Sequence, residues 1–185
     1  MKITRLLMLD LDGTIRQTAS GEVFINDPYD QKLIDGAMEA IDKAIADGCV
    51  VVGITNQGGV KAGFKSLTSC IQEQRYTLKL LKGRMKRIYF CPDDGYTCIT
   101  VRPAPLWLPE FAPVFIGGSY GDEPDDSLGG FRKPDPGMIL KAMRDFRHFP
   151  DLIQFEYVGD RDEDAHAALN AGVSFRWAQL WRGEK

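Results

Sequence analysis

Apolar runs and helical spacings alternate along the first part of the chain. Ile3–Leu9 is a nearly continuous apolar run that ends at Asp10, a pattern typical of a parallel strand buried on both faces. Apolar residues at helical spacing predict a helix over Asp30–Ala46, and Gly48 ends it. Cys49–Ile54 is then a second buried strand. This strand–helix–strand order predicts right-handed crossovers and a parallel sheet.

The alternation continues to the end of the chain with one interruption. Further helices and strands are predicted over Leu67–Leu81, Arg87–Cys91, Pro136–Phe146, Phe155–Val158 and Asp164–Ala171. Residues 92–131 hold six of the ten prolines, so we interpret them as an irregular insertion with one short strand at Val114–Ile116. The insertion is too short for a large cap domain. We therefore predict one doubly wound, Rossmann-like α/β domain over residues 1–185, with its site at the carboxyl ends of the strands.

Composition fits a globular domain of this kind. The chain has 185 residues, of which 44% are hydrophobic and 26% charged, and its formal net charge is −3. These values exclude disordered and fibrous classes and argue against wholesale binding to nucleic acid or membranes. No apolar run is long enough to span a membrane, and no secretory signal is evident, so we expect a cytoplasmic protein. Its four cysteines, at positions 49, 70, 91 and 98, are expected to be reduced.

Two carboxylates follow the first strand directly. The segment DLDGT at 10–14 places Asp10 and Asp12 two residues apart at the end of an apolar strand. Unpaired carboxylates buried there would be unfavourable, and a bound cation would relieve this. Oxygen ligands of this type suit Mg²⁺. The alternative is an ordinary Asp-Gly turn after a strand.

Three further segments place polar residues at strand ends or helix starts. GITNQGG at 53–59 offers the Thr55 hydroxyl and backbone N–H groups that can hold phosphate oxygens, and a plain polar turn is the alternative. FRKPDPGM at 131–138 presents Lys133 before a helix, although a single lysine there is usually solvated. GDRDED at 159–164 adds Asp160 and Asp164, for which a helix cap is the alternative.

In order and spacing, DLDGT, GITN, RKPDPGM and VGDRDED resemble the motifs of the haloacid dehalogenase (HAD) superfamily of Mg²⁺-dependent phosphohydrolases. The likeness covers nearly the whole chain. TNQGG and RKPDPGM are similar to the capless subfamily IIIA, which contains histidinol-phosphate phosphatases, D,D-heptose 1,7-bisphosphate phosphatases and polynucleotide 3'-phosphatases. The resemblance implies a HAD-like fold and a phosphatase activity.

The same resemblance implies roles for individual residues. Asp10 would be the nucleophile that forms an aspartyl-phosphate, and Asp12 would protonate the leaving oxygen and then activate water. Asp10, the carbonyl of Asp12 and Asp160 would hold Mg²⁺. Asp164 would support the metal site or Lys133.

Other residues are expected to contact the substrate. By resemblance, Thr55, the N–H of Asn56 and Lys133 would bind the transferring phosphoryl group. We interpret Arg132 and Arg161 as substrate contacts, with an exposed, solvated arginine as the alternative for each.

One departure from the subfamily concerns zinc. Heptose bisphosphate phosphatases carry a loop of Cys and His ligands before the RKP motif, where this chain has Gly129, Gly130 and Phe131. Cys91 and Cys98 lack the CxxC spacing of a structural zinc site. We expect ordinary thiols and no zinc.

Three functions remain open at this point. The favoured one is hydrolysis of a small phosphorylated metabolite, a sugar or amino-alcohol phosphate. A polynucleotide 3'-phosphatase is less favoured because it needs a basic groove, and the net charge is −3. A non-catalytic binding protein is least favoured because every motif is intact. The sequence leaves the oligomeric state open.

Overall fold

A computed structural model of the chain describes residues 4–103 and 128–184, which form helices around a central sheet. The strands are β1 (Arg5–Leu9), β2 (Arg16–Gln17), β3 (Lys32–Leu33), β4 (Cys49–Asn56), β5 (Met85–Cys91), β6 (Ile99–Val101), β7 (Gln154–Gly159) and β8 (Ser174–Trp177). The helices are α1 (Ala37–Ala46), α2 (Leu67–Leu80), α3 (Gly137–Phe146), α4 (Asp162–Ala171) and α5 (Ala178–Arg182).

The main sheet has six strands in the order β6-β5-β4-β1-β7-β8. All neighbouring pairs are parallel except β5 with β6, which is antiparallel. From β1 the chain builds the sheet first toward β4 and later toward β7, so the direction of winding reverses at β1. In sheets of this kind, ligands bind beyond the carboxyl ends of the strands at that reversal. The predicted doubly wound α/β class is confirmed.

Two hydrophobic cores lie on opposite faces of the sheet. Alternate residues of β1 enter different cores: Leu7 and Leu9 face the helices α1 and α2, while Leu6 and Met8 face α3 and α4. All four side chains are at most 1% exposed. Burial on both faces is why β1 is a continuous apolar run in the sequence rather than an alternating one.

The helix predicted over Asp30–Ala46 begins too early. In the structure α1 starts only at Ala37. Lys32–Leu33 instead pair antiparallel with Arg16–Gln17. Gly36 has a φ of 80°, a left-handed conformation that suits glycine and makes the turn into the helix. The apolar spacing before Ala37 therefore belongs to a small hairpin.

Three short elements of the structure were not predicted from the sequence pattern. Ile99–Val101 forms an edge strand inside the segment interpreted as irregular. Ser174–Trp177 forms the opposite edge strand, and the short helix Ala178–Arg182 follows it. Such short elements cannot show a periodic pattern over several repeats. The strand suggested at Val114–Ile116 lies outside the described residues.

The carboxyl edge of the sheet carries no large second domain in the part of the chain that the structure describes. The predicted lack of a large cap agrees with this. Within residues 4–103 and 128–184, no helix has the length and apolar content that crossing a membrane requires.

The central strand allows a test of the fold. Leu7→Ala should lower the free energy of unfolding by about 2 to 5 kcal/mol, because its side chain is 1% exposed and the cavity can only partly collapse. Leu169→Ala is the matched control, since Leu169 is 75% exposed on α4. Urea denaturation followed by circular dichroism measures both changes. Equal losses for the two variants would contradict the described core.

Candidate active site

The ends of three parallel strands bring the predicted site residues to one edge of the sheet. Asp10 directly follows β1, Asn56 is the last residue of β4, and Asp160 directly follows β7. Lys133 enters from the loop before α3. These residues come from four separate segments of the chain, and they meet where the winding of the sheet reverses.

Asp10 is buried beside a lysine. Its side-chain oxygen Oδ1 accepts a hydrogen bond from Lys133 Nζ at 2.6 Å, and Oδ2 accepts one from the Thr14 hydroxyl at 3.2 Å. Burial raises the pKa of Asp10 to about 7, against the attraction of Lys133 and with a further contribution from Asp164. Removing the negative charge around Asp10, or adding a cation, would therefore favour its ionised form.

The Lys133 ammonium group makes three contacts. Besides Asp10, it lies 2.6 Å from Asp164 Oδ1 and 3.1 Å from the phenolic oxygen of Tyr157. Burial opposes its charged form, but Asp10, Tyr157 and Asp164 outweigh this and raise the pKa of Lys133 well above its usual value. Lys133 is therefore a fixed positive charge at neutral pH.

Asn56 positions the lysine through the backbone. Its Nδ2 donates to the Lys133 carbonyl oxygen at 3.1 Å, and its Oδ1 accepts from the Lys133 backbone N–H at 3.0 Å. This pair of bonds joins the end of β4 to the loop before α3. The Asn56 side chain thus holds the loop, and phosphate binding by the Asn56 backbone N–H stays a prediction.

Three carboxylates crowd the same point. One oxygen from each of Asp10, Asp160 and Asp164 lies within 4.8 Å of the others. Burial, together with the charge of Asp164, raises the pKa of Asp160 as it does that of Asp10. Both oxygens of Asp164 are already used, by Lys133 and Tyr157 on one side and by the Arg161 backbone N–H on the other. Asp164 therefore supports the site from behind.

The donor set fits a magnesium ion. A divalent cation would relieve the repulsion among these carboxylates, and hard oxygen ligands are the ones that Mg²⁺ prefers. Asp10 accepts one hydrogen bond on each oxygen, and Asp160 Oδ1 lies 3.4 Å from the Thr14 hydroxyl, so both residues keep lone pairs that could bind a metal ion.

Asp12 faces a different environment from Asp10. Arg16 donates to both of its oxygens, at 2.8 Å to Oδ1 and 3.2 Å to Oδ2, and Gln57 Nε2 donates to Oδ2 at 3.0 Å. Burial alone would raise its pKa, but Arg16, Lys65 and the hydrogen bonds outweigh this and lower the pKa of Asp12. Its side chain keeps 38% of its surface exposed. Asp12 is therefore ionised in this arrangement and open to the cavity described below.

Thr55, near the end of β4, lies beside Asp12. Its hydroxyl is 3.4 Å from Asp12 Oδ2 and accepts a hydrogen bond from Gln57 Nε2 at 3.2 Å. The residue is 1% exposed. This brings Thr55 into contact with the proposed acid–base residue at the edge of the site.

A cavity of about 840 Å³ opens from this site to the surface. Asp10, Asp12 and Lys133 line its floor, and both predicted substrate arginines, Arg132 and Arg161, line it as well. The Arg161 side chain is 60% exposed. Both arginines thus border the same cavity as Asp10 and Asp12, and their role as substrate contacts stays a prediction.

Sequence reasoning missed a set of polar residues buried behind Asp12 and Lys133. They are Arg16, Gln57, Lys65, Glu73 and Tyr157. One signal was available: Glu73, Gln74 and Thr77 fall at helical spacing on the buried face of α2, among apolar residues. Polar residues on such a face need buried partners. Arg16 and Tyr157 offered no comparable signal.

The fold and the arrangement around Asp10 define a phosphatase of the HAD superfamily, an enzyme that hydrolyses phosphomonoesters. Within that class, the chain belongs to the family described as polynucleotide kinase 3 phosphatase, whose model matches residues 5–176. The resemblance drawn from the four motifs is confirmed.

Individual relatives are heptose bisphosphate phosphatases. A D-glycero-alpha-D-manno-heptose-1,7-bisphosphate 7-phosphatase of Burkholderia mallei is 33% identical over 173 residues, which cover 91% of this chain and 76% of the relative. A D-glycero-beta-D-manno-heptose-1,7-bisphosphate 7-phosphatase of Escherichia coli K12 is 28% identical over 173 residues, 90% of this chain and 74% of the relative.

A similar solved structure holds a metal ion and phosphate. It is the crystal structure of D,D-heptose 1.7-bisphosphate phosphatase from B. bronchiseptica, complexed with magnesium and phosphate. The superposition has a TM-score of 0.60 and 26% sequence identity, and it covers 95% of this chain and 79% of the other.

Gly13 allows the turn that follows β1 to approach Asp160 closely. Its φ is 86°, and a Cβ atom there would overlap the Asp160 carboxylate. Gly13→Ala should therefore displace Asp160 and lower magnesium-dependent activity about 10- to 100-fold, as a disturbed metal site does. A magnesium titration of the phosphatase activity measures the change.

Gly172→Ala is the control for Gly13→Ala. Gly172 also has a positive φ, of 69°, but nothing lies within 4 Å of the position its Cβ would take. This variant should carry a similar backbone strain and keep its magnesium dependence. A common loss of activity in both variants would show that strain, and not the contact with Asp160, is responsible.

Proposed function

We propose that the protein hydrolyses a small phosphorylated sugar, with Mg²⁺, through an aspartyl-phosphate formed on Asp10. The observation that carries this proposal is the position of the Asp10 carboxylate, 2.6 Å from Lys133 on the floor of the cavity. Asp12 stands two residues further on in a separate environment. The sugar is suggested by the substrate class that appears in the names of the relatives.

In the first step, an Asp10 oxygen attacks phosphorus and the ester bond to the leaving oxygen breaks. Asp12 is ionised in the arrangement described above, so it must take up a proton before this step. It then gives that proton to the leaving oxygen, and the alcohol leaves neutral. The Lys133 ammonium group and Thr55 stabilise the negative charge on the phosphoryl oxygens. A magnesium ion held by Asp10, Asp160 and the carbonyl of Asp12 would neutralise the charge that otherwise repels a phosphate dianion.

In the second step, a water molecule attacks phosphorus and displaces the Asp10 carboxylate. Asp12, now ionised, takes a proton from the water as its oxygen attacks, and the bond between phosphorus and Asp10 breaks. Inorganic phosphate leaves, Asp10 is again a carboxylate, and Asp12 again carries a proton. The lowered pKa of Asp12 keeps it in the ionised form, which can accept a proton.

The surroundings of the site favour a metabolite over a nucleic-acid end. The basic cluster of the sequence comprises Lys79, Lys82, Arg84, Lys86 and Arg87. Within this cluster, Arg84 pairs with Asp42 and Arg87 pairs with Asp145. None of the five lines the cavity, as far as the described residues outline it. A polynucleotide would need such a surface beside the site.

The substrate class can be tested directly. We expect phosphorylated sugars to be hydrolysed fastest when compared with amino-alcohol phosphates, nucleotides and 3'-phosphorylated oligonucleotides, as measured by phosphate release. Activity should require Mg²⁺ and stop when a chelator is added, because Asp10 and Asp160 would otherwise repel the phosphate dianion. A preference for the oligonucleotide would refute the sugar assignment, and full activity in chelator would refute the metal assignment.

Substitutions of Asp10 and of Asp12 should impair different steps of the reaction. Asp10→Asn should abolish turnover and the covalent phosphate together, because an amide is a poor nucleophile and a weaker magnesium ligand. Asp12→Asn should lower kcat by about 10² to 10⁴, the usual contribution of a general acid–base group, while Mg²⁺ affinity survives. Rapid quenching with an aryl phosphate should then trap phosphate on Asp10.

The same pair of variants can contradict the assignment. Phosphate trapped on a residue other than Asp10 would move the nucleophile elsewhere. Equal loss of Mg²⁺ affinity in both variants would show that Asp12 acts as a metal ligand through its side chain rather than as an acid and base.

A further inference from the structure

A closed ring of side chains lies behind Asp12. It runs from Asp12 to Arg16, Glu73, Lys65 and Gln57 and returns to Asp12, and we call these five residues the Asp12 ring. The Arg16 guanidinium contacts Asp12 Oδ1 at 2.8 Å and Glu73 Oε1 at 2.6 Å. Lys65 Nζ contacts Glu73 Oε2 at 2.5 Å and Gln57 Oε1 at 2.8 Å, and Gln57 Nε2 donates to Asp12 Oδ2 at 3.0 Å.

The ring is buried except at Asp12. The side chains of Arg16 and Glu73 are at most 1% exposed and that of Lys65 is 9% exposed, whereas the Asp12 side chain is 38% exposed to the cavity. Its two cations balance its two carboxylates. Buried ion pairs of this kind add little net stability compared with apolar side chains of similar volume, so stability alone does not explain the ring.

The ring also holds the segment that borders the cavity. Lys65 Nζ donates to the backbone carbonyl of Ile25 at 2.9 Å, and Gln31 Nε2 donates to the Glu73 carbonyl at 3.0 Å. Residues between β2 and β3, among them Val23 and Phe24, line the mouth of the cavity. Lys65 therefore contacts both the segment that lines the cavity, at Ile25, and the Asp12 ring, at Glu73 and Gln57.

We propose that Lys65 and Glu73 are positioning residues that hold the Asp12 carboxylate in place for proton transfer and fix the residues 18–31 against it. This inference rests on the acid–base role of Asp12 given under Proposed function. Glu73 orients Arg16 and Lys65 at once, since one carboxylate oxygen faces each of them. Arg16 and Gln57 then pin both oxygens of Asp12, so its remaining lone pairs point to the cavity.

A double-mutant cycle tests the proposal. Glu73→Gln and Lys65→Met should each lower kcat on a sugar or alkyl phosphate on the order of 10-fold, and by less than Asp12→Asn does. In an Asp12→Asn background, the same substitutions should change kcat less than about twofold, because the group through which they act is already gone. A purely structural role would lower the rate equally in both backgrounds.

The leaving group gives a second measurement. With an aryl phosphate, whose leaving oxygen scarcely needs a proton, Glu73→Gln should slow breakdown of the phosphoenzyme more than its formation, so covalent phosphate should accumulate in rapid-quench experiments. Lys65→Arg keeps a positive charge beside Glu73 but changes the shape of the donor, so kcat should fall less than in Lys65→Met. This variant also keeps the test valid if Lys65→Met folds poorly.

Lys61→Met is the matched control for Lys65→Met. Lys61 lies in the same loop, is 56% exposed and pairs with Asp94 outside the cavity. Its substitution should leave kcat unchanged. Equal losses for Lys61→Met and Lys65→Met, or full additivity with Asp12→Asn, would overturn the positioning role. Undiminished turnover in Asp12→Asn alone would instead show that the acid–base assignment is wrong.

Discussion

The burial of one ammonium group among carboxylates governs the architecture of the site. Lys133 Nζ lies 2.6 Å from both Asp10 and Asp164, and all three side chains are almost inaccessible to water. Without the lysine, the negative charges that end β1 and begin α4 would repel one another in a low-dielectric environment. The loop before α3 must therefore dock in one position, which is fixed by the two hydrogen bonds between the Asn56 side chain and the Lys133 backbone, one donated and one accepted by Asn56.

A second charged cluster stabilises the other side of the same turn. Arg16 is fully buried, and its guanidinium group donates hydrogen bonds to Asp12, Glu73 and Thr77. Because Glu73 and Thr77 lie on α2, this helix presents polar groups as well as apolar ones to the sheet. A change on α2, far from Asp10 in sequence, can thus alter the environment of the catalytic turn.

The sequence predicts some parts of this structure well for identifiable reasons. Strand β1 and helix α2 were located within two residues of their ends, because a strand buried on both faces leaves a continuous apolar run and an amphipathic helix leaves a periodic pattern. The charges at strand ends were also recognisable, since parallel strands bring their carboxyl ends together. The hairpin at residues 32–33 and the ring behind Asp12 depend on contacts between distant segments, and no local pattern encodes those.

Asp10 and Asp12 show how two carboxylates only two residues apart acquire different pKa values. The turn directs the Asp10 carboxylate toward Lys133 among other carboxylates, where burial raises its pKa to about 7. It directs Asp12 toward Arg16, where positive charge and hydrogen-bond donors lower its pKa despite burial. Environments that separate the pKa values of two nearby acids are a general way of assigning them different catalytic tasks. Here Lys133 opposes the rise at Asp10, so the separation comes from the burial of Asp10 beside Asp164 on one side of the turn and from the charge and hydrogen bonds of Arg16 on the other.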